Sequence, residues 1–449
     1  MTTHTIWLIC YFLALIVFVN RYVAGIAMRF VRGKQGKWDA TRDDFEPTIT
    51  AIIPMYNEGA AIKETLQSIL DSDYPHAKLH VICVDDCSSD DSYEQARSVA
   101  KTSGGRLTVL RNRQNMGKRR SIIRATREAS SEMIVSVDSD VVVDANAIRQ
   151  LMRRFTDDRI AAVGGWVDVR NKHDNWLTRM QVVKYWYSYF FMKNLEWGFK
   201  RVMCLSGCLT AYRRAVLVEL EPLLEHREIL GVPIKYGEDR FLTRQIVKAG
   251  YLTTMTLEAR CCTFVPTTLG GYFSQQLRWR RSNLVDYAGG FSHVWRLNPI
   301  LAIHFFSLFA LLLVYPVAIV RALVAFKFFP AMVLHMQAVA CFGLFYVWRV
   351  RKLPKGERVG PLAFVPLTFL MPVTYALLTP LALFTLDTSN WETRNHEELA
   401  DEPAPATASA TDGHDLVTEP ILLEPAAAAA ITGTGKIARA QSHAQLPAA

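Results

Sequence analysis

The chain has 449 residues, 50% of them hydrophobic, a formal net charge of +9 and a positive mean hydropathy. That length leaves room for one large folded domain plus membrane segments, and the apolar content is too high for an ordinary soluble protein of this size. The Lys and Arg residues gather beside apolar runs (Arg29, Arg32, Lys34, Lys37; Arg349, Arg351, Lys352, Lys355, Arg358), where anionic lipid rather than a nucleic-acid groove attracts them.

The first predicted element is an apolar run from Ile6 that continues to Met28 with only Asn20 and Arg21 interrupting it. A bilayer crossing needs roughly 20 such residues. A cleaved signal peptide is the alternative, but no basic stretch precedes the run and no small-x-small site comes after it. The basic cluster on its C-terminal side places the next part of the chain in the cytoplasm. The eight cysteines are scattered through predicted strands and spans, so they read as reduced thiols. The Cys83/Cys87 and Cys204/Cys208 spacings have no His-rich partner segment for zinc.

From Thr48 short apolar runs alternate with helical stretches, the pattern of a parallel sheet with crossover helices. Strands are predicted at 48–53, 79–84, 107–110, 133–137 and 160–163, and helices starting near Ala60, Asp91, Lys118 and Ala145. Ligands of such sheets bind beyond the carboxyl ends of the strands. Those ends carry Pro54-Met55-Tyr56-Asn57-Glu58, Asp85-Asp86 and Asp138-Ser139-Asp140. There is neither a G-x-G-x-x-G nor a G-x-x-x-x-G-K-[ST] turn. Carboxylates at strand ends instead suit a nucleotide sugar whose diphosphate is neutralised by Mg2+ or Mn2+ through oxygen ligands. The basic turn Asn115-Met116-Gly117-Lys118-Arg119-Arg120 opens a predicted helix, a place to meet phosphate.

Further on, an acidic turn, Gly237-Glu238-Asp239-Arg240, is succeeded about forty residues later by Gln275-Gln276-Leu277-Arg278-Trp279. Two amphipathic helices with aromatic stripes are predicted, one through Trp176, Met180, Val183 and Tyr187, the other through Phe273, Leu277, Leu284 and Tyr287; the second, just before the spans, is assigned to the membrane surface. The stretches 299–320 and 330–348 are each long enough to cross a membrane. Segment 361–386 is apolar but contains Pro361, Pro366, Pro372 and Pro380, so it is expected to dip in and return, leaving two full crossings after the catalytic region. Beyond Asp401 the chain is rich in Ala, Pro, Thr and Gly and reads as a disordered tail.

These motifs, in this order, resemble processive membrane-embedded family 2 glycosyltransferases, the group of hyaluronan synthases, chitin-oligosaccharide synthases, chitin synthases and cellulose synthases. Val84-Asp85-Asp86, Ser206-Gly207-Cys208, Val265-Pro266-Thr267 and Trp391-x-Thr393-Arg394 extend the match. The resemblance implies an α/β, GT-A-like Rossmann-type nucleotide-sugar domain inserted between transmembrane and interface helices. It implies that Asp86 contacts the uracil or ribose, that Lys118 contacts the donor, and that Asp140 holds the metal with Asp138 nearby. Asp239, beside Glu238 in the catalytic turn, would be the general base. Gln275, Arg278 and Trp279 would receive the acceptor sugar and the departing diphosphate, and Trp391 and Arg394 would close on the donor site. The chemistry itself needs one base on the acceptor side and positive charge on the leaving group, with no covalent nucleophile.

The expected organisation is an N-terminal transmembrane helix (1–30), a cytoplasmic catalytic domain (45–268), an interface helix (269–297), a C-terminal membrane region (298–387), a cytoplasmic segment (388–400) and a tail (401–449). The expected partners are UDP-sugar donors, a growing polysaccharide and membrane lipid. The resemblance gives UDP-N-acetylglucosamine as a donor, with hyaluronan narrowly ahead of a chitin-like product. Hyaluronan also needs a cation for the glucuronate carboxylate, for which Arg213, Arg240 and Arg278 are candidates.

Overall fold

In a computed structural model of the chain, the described residues are 27–28, 40–229, 232–234, 236–325, 328–354 and 356–386. The expected first span (all but residues 27 and 28), Trp391, Arg394 and the tail lie outside them.

β1 (Ile49–Met55), α1 (Ala61–Leu70), β2 (Leu79–Asp85), α2 (Ser92–Thr102), β3 (Leu107–Arg111), α3 (Lys118–Glu128) and β4 (Met133–Ser136) form the expected alternating half. β1 and β4 are buried along their whole length, as strands covered on both faces must be. The second half departs from the expected all-parallel sheet. It contains β5 (Val141–Val143), α4 (Ala147–Met152), β6 (Ile160–Val169), α5 (Trp176–Trp186), α6 (Asn194–Gly198), β7 (Thr210–Arg213) and α7 (Arg214–Glu225). A two-stranded ribbon, β8 (Glu228–Ile229) and β9 (Val232–Pro233), precedes α8 (Glu238–Lys248) and β10 (Leu252–Thr263). The main sheet runs β3-β2-β1-β4-β7-β6-β10-β5. β7 is antiparallel to both β4 and β6, and β5 is antiparallel to β10, so the sheet is mixed. Four-residue β7 has no periodicity that would have announced it; its place comes from pairing with two longer neighbours.

α9 (Leu269–Gly290) starts where Thr268 Oγ1 accepts from the Gly271 N–H, 3.2 Å. α10 (Pro299–Val324) starts with Asn298 accepting from the Ile300 N–H and proline in the first turn, where its missing donor costs nothing. α11 (Phe328–Val350) and α12 (Val365–Leu383) come next. Among the described residues, α10 and α12 are long and apolar enough to cross a membrane, with mean hydropathies of 2.3 and 1.5.

The reversal expected within segment 361–386 does not occur: α12 is one helix through Pro372 and Pro380. Thr368 and Thr374 hydroxyls donate to the Val365 and Met371 carbonyls, three residues back in the helix, so these side chains are satisfied within it. α12 lies alongside α9 and runs the same way. Leu367 and Leu370 pack with Tyr272, Arg280 sits 3.8 Å over the Tyr375 ring, and Arg281 Nε donates to Thr385 Oγ1 at 3.0 Å. The face turned away exposes Phe369, Val373, Leu377 and Leu381, four apart in sequence. The loop before α12 also rests on the catalytic domain, where Val359 joins Val169, Val265 and Trp186 in one apolar cluster.

Candidate functional site

The parallel pairing of β1 with β2 sets Met55 against Asp85, and its pairing with β4 sets Ile52 against Ser136, so the ends carrying Asp86 and Asp138 open on one edge of the sheet. Because β7 is antiparallel to β4, the residues just before it, Ser206-Gly207-Cys208, return to that edge. β10 ends there too. Its Thr263, opposite Val141, donates to Asp140 Oδ2 at 3.0 Å.

Lys118 is the electrostatic hub. Its ammonium lies 2.7 Å from Asp138 Oδ1 and 2.6 Å from Glu238 Oε1, joining the strand-end carboxylate to the acidic turn. Burial alone would lower the Lys118 pKa, but Asp138, Glu238 and Asp239 together hold it well above the usual lysine value. Burial likewise would raise Glu238, yet Lys118 and Arg278 outweigh it and hold that carboxylate below its ordinary range. Asp239 goes the other way: burial and the adjacent Glu238 charge push it up against the pull of Lys118 and Arg240. Two neighbouring carboxylates are thus driven apart, the arrangement that leaves one as a poised proton acceptor. Asp239 Oδ1 accepts from the Arg240 N–H at 2.7 Å and Oδ2 from the Gly207 N–H at 3.4 Å. Glycine at 207 leaves room for this pair, since a Cβ would lie 2.9 Å from Lys118 Nζ and 3.1 Å from Asp138 Oδ1 and would push the two side chains aside.

The acidic turn is built by Gly237, whose φ of +69° is left-handed and whose Cα faces α9: a Cβ there would come within 2.0 Å of Ser282 Oγ. Arg278 and Trp279 lie one turn before Ser282 on that side of α9, and Gln275 two turns before, so the contact brings the basic aromatic stripe to the acidic turn. Trp279 packs against Tyr185 of α5, ring centroids 6.2 Å apart, and Lys184 Nζ sits 5.4 Å over the Trp279 ring. Lys184 also donates to Gln276 Oε1, and burial, with Arg280 nearby, pulls its pKa down to about 7. On α5, Met180 and Val183 are fully buried, and on α9 Leu284 is buried with Leu277 and Tyr287 packed beside it.

Asp86 is 0% exposed, and its oxygens accept from Asn112 Nδ2 (2.6 Å), the Met116 N–H (2.9 Å) and the Gly117 N–H (2.7 Å). The carboxylate therefore shapes the turn that delivers Lys118. Arg213 donates through Nε to the Ile160 carbonyl, at the end of the sheet away from Asp138.

Among the described residues no three His, Cys, Asp or Glu side chains make a metal cage. Asp140, with Asp138 two residues earlier, fits a hard divalent ion that takes one or two carboxylates and completes its shell with substrate phosphate oxygens. The sequence reading missed Thr263, Lys184 and Ser282; Glu58, in the strand-end turn it did name, accepts from Ser139 Oγ at 2.8 Å. Ser282 could have been found, because it extends the Gln275–Arg278 spacing by four along α9.

Residues 47–282 match the profile described as Glycosyltransferase like family 2. An N-acetylglucosaminyltransferase of Rhizobium sp. (strain N33) is 33% identical over 286 residues, 64% of this chain and 63% of that protein, so the match spans a little under two thirds of the relative. An N-acetylglucosaminyltransferase of Mesorhizobium japonicum is 31% identical over 353 residues, 78% of this chain and 82% of its own length. Among solved structures, the mannosyltransferase PcManGT from Pyrobaculum calidifontis, in complex with GDP-Man and Mn2+, is similar with a TM-score of 0.54 at 21% identity, covering 83% of this chain and 99% of that one. That likeness is one of fold, and the mixed sheet is GT-A-like. With the family profile covering more than half of its length and a 31% identical relative aligned over most of both sequences, the chain belongs to glycosyltransferase family 2.

Proposed function

We propose that the chain transfers N-acetylglucosamine from UDP-N-acetylglucosamine, with inversion, to the growing end of a saccharide at the cytoplasmic face of a membrane. The observation that carries this reading is the convergence of Lys118, Asp138, Glu238 and Asp239 beside the Gln275-Arg278-Trp279 stripe. The sugar is taken from the names of the rhizobial relatives.

In this mechanism Asp239 accepts the proton of the acceptor hydroxyl as the acceptor oxygen bonds to the anomeric carbon. The bond from that carbon to the diphosphate breaks on the opposite face, so the configuration inverts and UDP leaves. Lys118 and Arg278 supply fixed positive charge to the leaving group. Trp279 and Tyr185 offer apolar ring faces to the acceptor sugar. An Mg2+ or Mn2+ ion held by Asp140, with Asp138 beside it, would neutralise the diphosphate.

α10 and α11 are assigned as crossings and α12 as an interface helix, because α12 packs along α9 over its length and shows its other face to lipid. Tyr236 Oη donates to the Leu386 carbonyl at 2.9 Å, so the chain leaves α12 beside the acidic turn, and Trp391 and Arg394 keep their proposed role at the donor.

A chitin-like product is the reading the site supports best. Of the three cations considered for glucuronate, Arg213 is at the far end of the sheet, and Arg240, half-buried, faces Asp239, Cys204 and Tyr287. Hyaluronan is the second reading, with Arg278 as its remaining cation. Purified protein in lipid, given labelled UDP-N-acetylglucosamine and UDP-glucuronate singly and together, separates them. Full-rate growth with UDP-N-acetylglucosamine alone supports the chitin-like product; growth only with both donors supports hyaluronan; no transfer from either overturns the proposal.

A further inference from the structure

The acidic turn is held by a second set of charges that belongs to none of the site's motifs. Arg227, in the chain leading to β8 and 2% exposed at its side chain, donates through Nη1 to the Tyr236 carbonyl (2.5 Å) and the Gly237 carbonyl (3.0 Å). Its Nη2 is 3.4 Å from Asp286 Oδ2, and Asp286 Oδ1 is 3.2 Å from Arg244 Nε. Both guanidinium groups also lie over the Phe241 ring, at 4.6 and 5.3 Å. Asp286 stands one turn beyond Ser282 on α9, the helix that carries Arg278 and Trp279, while Arg244 belongs to α8, the helix that Glu238 and Asp239 open.

Resting on the transferase reading, we propose that Asp286 is a positioning residue: through Arg227 and Arg244 it locks the turn that carries Asp239 against the helix that carries the acceptor platform. The physical case has two parts. A buried carboxylate between two arginines is held in one geometry, because loss of either partner leaves an unpaired charge inside the protein. Arg227 then converts that geometry into backbone position, since a planar guanidinium holds two successive carbonyls and a carboxylate at fixed relative directions through one rigid fork, whereas an ammonium is a compact charge whose donors rotate. Gly237 is the hinge so fixed. Its left-handed conformation and its contact with Ser282 leave the turn few alternatives while Arg227 grips the carbonyls on both sides. Base and platform come from different helices, so a shift of about 1 Å between them is enough to cost on the order of 100-fold in transfer.

The test uses full-length protein in lipid and two variants, Asp286→Asn and Arg227→Lys; the second keeps the buried charge balance should the first fail to fold. Hydrogen exchange is read at residues 236–241 and across β1 and β4, and steady-state transfer is read beside it. The inference expects faster exchange at 236–241 with β1 and β4 unchanged, kcat lowered by roughly tenfold or more, and the donor KM within about twofold of wild type. Unchanged exchange at 236–241, protection lost evenly over the domain, or an unchanged kcat would each overturn it. If wild-type protein transfers nothing from UDP-N-acetylglucosamine, the donor reading fails while the exchange at 236–241 still decides whether Asp286 holds the turn.

Discussion

Lys118 Nζ lies 2.6 Å from Glu238 Oε1 and so ties the basic turn after β3 to the acidic turn that opens α8. The same ammonium lowers the proton affinity of neighbouring Asp239, opposing burial and Glu238, which raise it. With Asp239 as the base, kcat/KM rises with pH as its carboxyl deprotonates. Lys118→Met removes a lowering influence, so this acidic limb should move to higher pH as maximal activity falls. A pH–rate profile checks both; a limb that stays in place would separate Lys118 from the base.

Asp239→Asn keeps the shape of the side chain but cannot take a proton. Transfer should drop by about 10²- to 10⁴-fold while UDP binding, measured by calorimetry, stays close to wild type. Substantial polymer from this variant would remove Asp239 from its role.

Asp140→Asn should weaken metal-dependent UDP binding, and Thr263→Val should do so less, because Thr263 only orients the carboxylate through its 3.0 Å hydrogen bond. Titrating Mg2+ and Mn2+ against UDP affinity reads this directly. An unchanged metal requirement in Asp140→Asn would place the ion elsewhere.

Gly237→Ala places a side chain in left-handed backbone and into Ser282, so it should cost about 1–2 kcal/mol for conformation alone, with the contact adding to it. Thermal melts should show a lowered Tm. Adding Ser282→Gly should recover part of the loss, since it removes the clash and leaves the φ penalty; no recovery would mean that α9 does not meet the turn there.

If α12 lies at the interface, Ser389→Cys is cytoplasmic. A membrane-impermeant thiol reagent should miss it in intact cells and label it in inside-out vesicles. Labelling from outside would make α12 a full crossing and detach Trp391 and Arg394 from the donor site.

Features that depend on local pattern were legible in the residues alone. The apolar runs that became β1 to β4 end within two residues of where they are expected, and α3 begins at Lys118, because hydrophobic periodicity and turn chemistry act over a few residues. The strand ends then brought Asp86 and Asp138 to one edge, as the rule for parallel sheets requires. Which of these groups meet is a tertiary outcome. Lys118 meets Asp138 and Glu238, about a hundred residues apart, at the edge to which β7, running backwards between β4 and β6, also returns Gly207. The fold also turned Asp86 inward, where it accepts from the Met116 and Gly117 N–H groups, about thirty residues on in the chain, a pairing that local pattern does not encode. Arg227 and Asp286 carry no motif at all; their pairing comes from α9 crossing the acidic turn, a long-range contact that local periodicity does not encode.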